Sequence, residues 1–155
     1  MIAQAIKQTP SWIAIASPWA DMGLAEYFRE SERALTVLFL TKTPEDNNRI
    51  DERTLETIDA LQKILNEKGG HLEVRYSPKL HDKFIVNGVI ALKGSLNYTT
   101  CGRFHNFESL DVIDEPNAIR ELEDWFKFMW KHPTTKASLD SYYPRNRKRF
   151  RLIRS

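Results

Sequence analysis

What the 155-residue chain lacks narrows its class first. It has one cysteine, Cys101, which excludes an intramolecular disulfide framework and a multi-cysteine zinc site. No uninterrupted apolar run approaches the ~18 residues that a membrane-spanning helix needs. The apolar WIAIAS near the amino terminus is too short and too strand-like for a signal-peptide core. There is no internal repeat, no low-complexity linker and no acidic cluster spaced for two metals. A reducing, cytoplasmic setting is therefore the default expectation, with a membrane partner disfavoured.

What is present describes a folded domain. A hydrophobic fraction of 41% beside 28% charged residues rules out wholesale disorder. The length suits one domain of the usual ~100–200 residues. The formal net charge of +2 hides an asymmetry. Residues 143–155 read YPRNRKRFRLIRS, with six basic residues and no acidic one, so the remainder carries 17 basic against 21 acidic. A mildly acidic body with a basic tail points to an anionic partner held by the tail. The expected division is a domain over 1–133 and a basic tail over 134–155.

Helix and strand patterns alternate along the body. Trp12–Ser17 reads as a buried strand closed by Pro18, and Ala20–Ser31 as a helix with Leu24, Tyr27 and Phe28 at helical spacing. Leu35–Leu40 is a strand buried on both faces. After a polar loop, Leu55, Ile58, Leu61, Ile64 and Leu65 form the stripe of an amphipathic helix that Gly69 and Gly70 end. His71–Tyr76 is a strand broken by Pro78. Lys79–Val86 and Val89–Ser95 read as two strands meeting at Asn87-Gly88, a strong hairpin signal because both residues tolerate positive φ. Phe107–Ile113 is a further strand, and Pro116 sits near the start of a last helix on which Ile119, Leu122, Phe126 and Met129 face one way. The pattern predicts an α/β sandwich, a mixed β-sheet flanked by helices.

The chemistry concentrates between Leu80 and Glu108. His81 and Lys83 are two apart, so in a strand they share a sheet face, while Asp82 points to the other. Ser95 and Asn97 are likewise two apart where the second strand of the hairpin runs out beside Gly94. A turn centred on Asn87-Gly88 would place Lys83 opposite Leu92 and His81 opposite Gly94. An imidazole, an ammonium, a hydroxyl and an amide on one patch suit a phosphate diester: a nucleophile or acid, a fixed positive charge, and neutral donors for the non-bridging oxygens. Glu108, on the next strand, is placed to hold the imidazole by its second nitrogen.

This segment resembles the signature of the phospholipase D superfamily: His-x-Lys, then an acidic residue, then Gly-Ser-x-Asn. Here these are His81, Lys83, Gly94, Ser95 and Asn97, with the likeness running on to Glu108 and spanning roughly residues 11–132. It is most similar to the small endonuclease branch, whose subunits carry one motif and pair as homodimers. The chain departs in two respects: Asn87 replaces the signature's aspartate, and the preceding strand is one residue short.

The resemblance implies a homodimer with its active site at the two-fold interface. There His81 of one subunit attacks phosphorus and the other subunit's His81 protonates the leaving oxygen. Lys83 and Asn97 would bind phosphate oxygens with Ser95 assisting, and Glu108 would orient His81. No metal or other cofactor is expected. One observation supports the dimer separately: His71, His105 and His132 lack the lysine and the Gly-Ser-x-Asn companion, so one chain offers only one such imidazole.

The favoured function is a metal-independent nuclease. Arg145, Arg147, Lys148, Arg149 and Arg151, with Arg154, would neutralise phosphates, and Tyr142, Tyr143 and Phe150 interleave as base-stacking platforms. DNA is placed ahead of RNA, and a larger restriction or helicase assembly is a conceivable setting. Two alternatives stand: a phospholipid hydrolase or phosphatidyl transferase with the tail on anionic lipid, and a catalytically weak or inactive nucleic-acid-binding or dimerisation module. Cys101 lacks an identified base, and His105 reads as structural. Trp125, Phe126, Met129 and Trp130 read as core or dimer packing, and Ser17, Pro18 and Trp19 follow a strand end that a cleft could border.

Overall fold

In the computed structural model, residues 2–45, 48–94 and 110–139 are described. Alternation of small and branched side chains builds the central strand, β1 (Trp12–Ala16), which is buried on both faces. Parallel to it runs β2 (Thr36–Lys42), and parallel to that β3 (His71–Ser77). On the other side of β1, β4 (Phe84–Val86), β5 (Ala91–Gly94) and β6 (Leu110–Ile113) continue the sheet antiparallel. The order is β3-β2-β1-β4-β5-β6, a mixed six-stranded sheet as the alternating pattern predicts.

Helices close both faces. Three lie on one side: α1 (Ile2–Lys7), α2 (Met22–Arg29) and α3 (Arg49–Glu67). With them pack Ile13, Ile15, Val37, Phe39, Ile85 and Leu92 from the sheet. The opposite face, Ala14, Ala16, Leu40, Phe84, Val86 and Ala91, meets α4 (Pro116–Trp130) through Ile119, Leu122, Phe126 and Trp130. Strands covered on both sides need continuous apolar runs, which is what β1, β2 and β4 supply.

Each long helix starts on a side-chain acceptor for its unpaired amide groups. Asp21 accepts from Gly23 N at 3.0 Å, Asn48 from Ile50 N and Asp51 N, and Glu115 from Asn117 N and Ala118 N just before Pro116. The end of α2 is closed from a distance. Lys68, just past α3, donates its ammonium to the carbonyls of Phe28, Arg29 and Ser31, satisfying orphan acceptors where the helix dipole is negative. Gly70 is required by space, since a Cβ there would stand 2.5 Å from the Leu35 carbonyl oxygen.

Three features differ from the sequence pattern. The pattern gives no sign of α1, whose Ile2, Ala5 and Ile6 are buried. Its six residues are too few for helical periodicity to register. Second, β4 begins only at Phe84, so His81 and Lys83 precede the strand instead of lying within it. Third, the hairpin register is displaced by two residues: Phe84 pairs with Lys93 and Val86 with Ala91, and the Lys83 carbonyl receives Gly94 N. The loop tip is Gly88-Val89, with Gly88 alone at positive φ.

The cause of the displaced register is Asn87. Its side chain is 1% exposed in relative terms and is used in the interior, not at the tip. The amide oxygen accepts from Val89 N at 3.0 Å and Ile90 N at 2.9 Å, while Nδ2 donates to the Ala5 carbonyl at 3.1 Å and Thr9 Oγ1 at 3.0 Å. That is the full capacity of an amide. It explains an amide in place of a carboxylate, because an ionised carboxylate has no hydrogen to give the Ala5 carbonyl.

After α4 the chain crosses to the β3 edge. Lys136 and Tyr76 exchange backbone bonds of 2.8 and 2.9 Å, and Leu139 is buried in the α1–α3 core. This cover blunts the sheet edge at β3.

Removing the Asn87 bracket should be costly. Asn87→Ala is expected to lower the unfolding free energy by about 2–3 kcal/mol, since buried donors and acceptors on α1 and the loop lose their partner. Asn87→Asp should also destabilise at neutral pH. Urea midpoints for the two variants and the parent check both.

Candidate active site

The carboxyl ends of β1, β2 and β3 share one edge of the sheet with the start of β4 and the end of β5. Strand order changes direction between β1 and β4, and in open α/β sheets the crevice outside the carboxyl ends at such a point is where ligands bind. Ala16 pairs with Phe84, and Phe84 with Lys93. One step outward, Ser17 leaves β1, Lys83 enters β4 and Gly94 closes β5, with Gly94 N donating to the Lys83 carbonyl at 3.2 Å. Three neighbouring chain segments thus present their ends together.

Lys83 is partly buried and His81 exposed in this row. The two-residue register shift keeps alternation intact, so Lys83 follows Ile85 onto the α1–α3 side, as the sequence spacing requires. Asp82 goes the other way, lining an open groove with Lys93, Leu122 and Trp125 on the α4 side. That separation removes Asp82 from the candidate chemistry. The pairing of His81 with Gly94 does not occur; Lys83 takes that place because the hairpin turns one residue later.

Ser95, Asn97 and Glu108 lie outside the described residues, as do Cys101 and His105. So do Arg145, Arg147, Lys148, Arg149, Arg151 and Arg154, with Tyr142, Tyr143 and Phe150. Of the other described histidines, His71 opens β3 at the opposite, amino edge of the sheet. His132 follows α4, its Nδ1 2.9 Å from Thr134 Oγ1, with β2 and β1 between β3 and β4. Among the described residues, no group of three or more His, Cys, Asp or Glu side chains is gathered as metal ligands would be.

A rigid loop borders the row where β1 ends. The Ser17 hydroxyl donates to the Trp19 carbonyl at 2.7 Å, and Thr41 Oγ1 donates to the Pro18 carbonyl at 3.0 Å. Ala20 N donates to Thr54 Oγ1 at 3.0 Å. Trp19 Nε1 donates to Asp51 Oδ1 at 2.9 Å, and the other oxygen of Asp51 accepts from Glu45 N at 2.8 Å. Asp51 is 2% exposed, a buried carboxylate whose two oxygens hold two loops. Lys42, at the end of β2, sets its ammonium 5.6 Å from the centre of the Trp19 ring. Sequence reasoning marked Ser17, Pro18 and Trp19 but had no signal for Asp51 or Lys42, which join the loop only through the fold.

The row can place an imidazole and an ammonium beside a phosphate, with a cationic and aromatic border. The exposed face of α4 is separate: Trp125 and Phe128 stack with ring centres 5.4 Å apart, while Phe126 and Trp130 belong to the core. Of the aromatics expected in core or dimer packing, Trp125 is outside the core, exposed at 44%.

Comparison with known proteins agrees with the fold. The profile of the family described as cardiolipin synthase, PLD-like domain, matches residues 2–130. No curated protein sequence matches the chain. Among solved structures, Nuc from Salmonella typhimurium, a phospholipase D family member, superposes with a TM-score of 0.67 at 14% identity, covering 88% of both chains. Phosphatidylserine synthase from Haemophilus influenzae gives 0.68 at 15% identity, covering 99% of this chain and 40% of that one. TrmBL2, an archaeal chromatin protein that binds DNA, gives 0.54 at 12% identity, covering 88% and 48%. At these identities the structures establish a shared fold.

The Asp51 clamp yields a direct expectation. Asp51→Ala leaves Trp19 Nε1 and Glu45 N without their acceptor and should cost about 2 kcal/mol of stability. Chemical denaturation measures it; an unchanged midpoint would show that water replaces the carboxylate.

Proposed function

The chain belongs to the phospholipase D superfamily, and from that premise we propose that it is a metal-independent nuclease acting as a homodimer. The observation that carries the reading is the row of chain ends at the β1/β4 switch point, where Lys83 is bonded to Gly94 and His81 stands exposed beside it. Ser95 and Asn97, outside the described residues, follow Gly94 in sequence and are proposed to supply the hydroxyl and amide of the signature.

In the proposed reaction a ring nitrogen of His81 forms a bond to phosphorus as the bond to the leaving oxygen breaks. The other subunit's His81 gives that oxygen its proton. Water then attacks phosphorus, loses a proton to the same imidazole, and the nitrogen–phosphorus bond breaks to return His81. Lys83 and Asn97 bind the non-bridging oxygens, where charge builds up, with Ser95 assisting, and Glu108 orients His81. The two-step displacement requires two imidazoles, and the chain carries a single His-x-Lys, which favours a symmetric dimer. Arg145, Arg147, Lys148, Arg149 and Arg151 are proposed to hold the nucleic-acid backbone. We place the protein in the cytoplasm; no helix among the described residues is long and apolar enough to cross a membrane.

A second reading is phosphatidyl transfer, favoured by the description of the matching family, because the same phosphorus chemistry serves a lipid alcohol. A catalytically inactive nucleic-acid-binding module is the third, with Asn87 as its only support.

The test is cleavage of plasmid and of labelled single-stranded DNA and RNA in excess EDTA. The wild type should cut, His81→Ala should not, and Lys83→Met should slow turnover by about 10²–10³-fold, the usual cost of one charge-stabilising donor. Binding without cleavage would leave the inactive module, and turnover confined to lipid would favour the transferase. Sedimentation should give a dimer; a fully active monomer would sink the two-imidazole mechanism.

A further inference from the structure

The most tightly specified aromatic side chain on the carboxyl edge is Trp19, and its fixings are unlike those of a core residue. Its indole is partly exposed, yet the ring edge is pinned to a carboxylate that is itself 2% exposed. The loop backbone on either side is bonded to β2 and α3 through Thr41 and Thr54. Such a ring gives up little rotational freedom when something lies against it. It lies on the carboxyl edge that also carries Lys83, on the β2 and α3 side of β1, where its partners Lys42 and Asp51 stand.

The charge beside the ring narrows what can lie there. Lys42 places an ammonium 5.6 Å from the ring centre, and its partner Glu45, at 3.3 Å, has a side chain 60% exposed. The Lys42 side chain is 22% exposed, and its ammonium has two hydrogens beyond the one given to Glu45 with which to take a phosphate. A cation already near the ring disfavours a second one, which argues against the quaternary ammonium of a choline headgroup. A neutral π-face next to an ammonium suits an aromatic base with a phosphate attached.

Resting on the nuclease reading, we propose that Trp19 and Lys42 form a stacking subsite for one unpaired base of a single-stranded nucleic acid, on the same carboxyl edge of the sheet as Lys83. Bases inside a duplex are stacked on each other and cannot reach the ring without being extruded. The subsite therefore selects single-stranded substrate over duplex. Trp19 and Lys42 are specificity residues, with no part in bond breaking.

The test scans a labelled single-stranded oligonucleotide with one abasic nucleotide moved along it. Binding is read by fluorescence anisotropy in a His81→Ala background so that the strand is not consumed. One abasic position should weaken binding about 10-fold, within the ~1–3 kcal/mol per stacked base. Trp19→Leu should weaken the intact strand by a similar factor and lose sensitivity to that abasic position. Trp19→Phe, which keeps a ring, should lose less. Lys42→Met should reduce the salt dependence by about 0.7 in the log–log slope for a single strand. For the His81-containing enzyme, Trp19→Leu should lower kcat/KM on the oligonucleotide about 10-fold relative to kcat/KM on bis(p-nitrophenyl) phosphate.

No sensitive abasic position in the parent would overturn the subsite without reference to how any variant folds. So would a Trp19→Leu variant that still senses the abasic position, or an equal fall on both substrates, which a merely structural Trp19 would produce. Preferential loss of binding to phosphatidylcholine vesicles would overturn it in favour of a lipid. If the parent cleaves nothing, the nuclease reading fails, while the binding scan still decides the subsite.

Discussion

Everything at the candidate site hangs on β1 being buried on two faces and paired on two edges. Its alternation, Ile13 and Ile15 toward three helices and Ala14 and Ala16 toward one, seats the single helix α4 close while filling the thicker side. Because β2 runs parallel to it and β4 antiparallel, the chain must reverse its progress across the sheet at this strand. The reversal opens the crevice, and the crevice gathers Ser17, Lys83 and Gly94 from segments distant in sequence. A polar residue at Ile13 or Ile15 would disturb the core and the site at once, since one strand serves both.

The parts of this fold legible in the sequence are those decided locally. The apolar runs of β1 and β2, the stripe along α3 and the Pro116 start of α4 all emerge where their residues predict, because burial on one or both faces imposes its own period. The hairpin was legible as a hairpin, and Phe84 and Val86 face the core as their alternation predicts. Its register was not, because Asn87 looks like a tip residue until its partners Ala5 and Thr9 are known, and these belong to a helix that has no periodic signature of its own. Likewise Trp19 announces itself only as an aromatic after a strand. What fixes it is Asp51, 32 residues on, whose pattern is that of an ordinary acidic residue in the first turn of a helix. Tertiary hydrogen bonds of this sort leave no local trace.

The relatives set a boundary on what the fold can say. Proteins named as a phospholipase D family member, a phosphatidylserine synthase and an archaeal chromatin protein share this fold at 12–15% identity. The scaffold therefore carries several functions, and specificity must be sought in what surrounds the shared row. In this chain the surroundings are distinctive in charge: a fixed lysine–indole border on one flank and a strongly basic sequence beyond residue 140.

The bracket at Asn87 also bears on how the protein is made. Its Nδ2 bond to the Ala5 carbonyl spans 82 residues, so α1 leaves the ribosome well before the loop that receives it. At the usual ~5–20 residues per second, the buried face of α1 waits on the order of 4–16 s for that partner. The central strand waits as well, since β4 must be synthesised before the second edge of β1 is closed. Vectorial synthesis thus leaves one edge of β1 unpaired for seconds after its pairing with β2 is possible, until β4 arrives to close it.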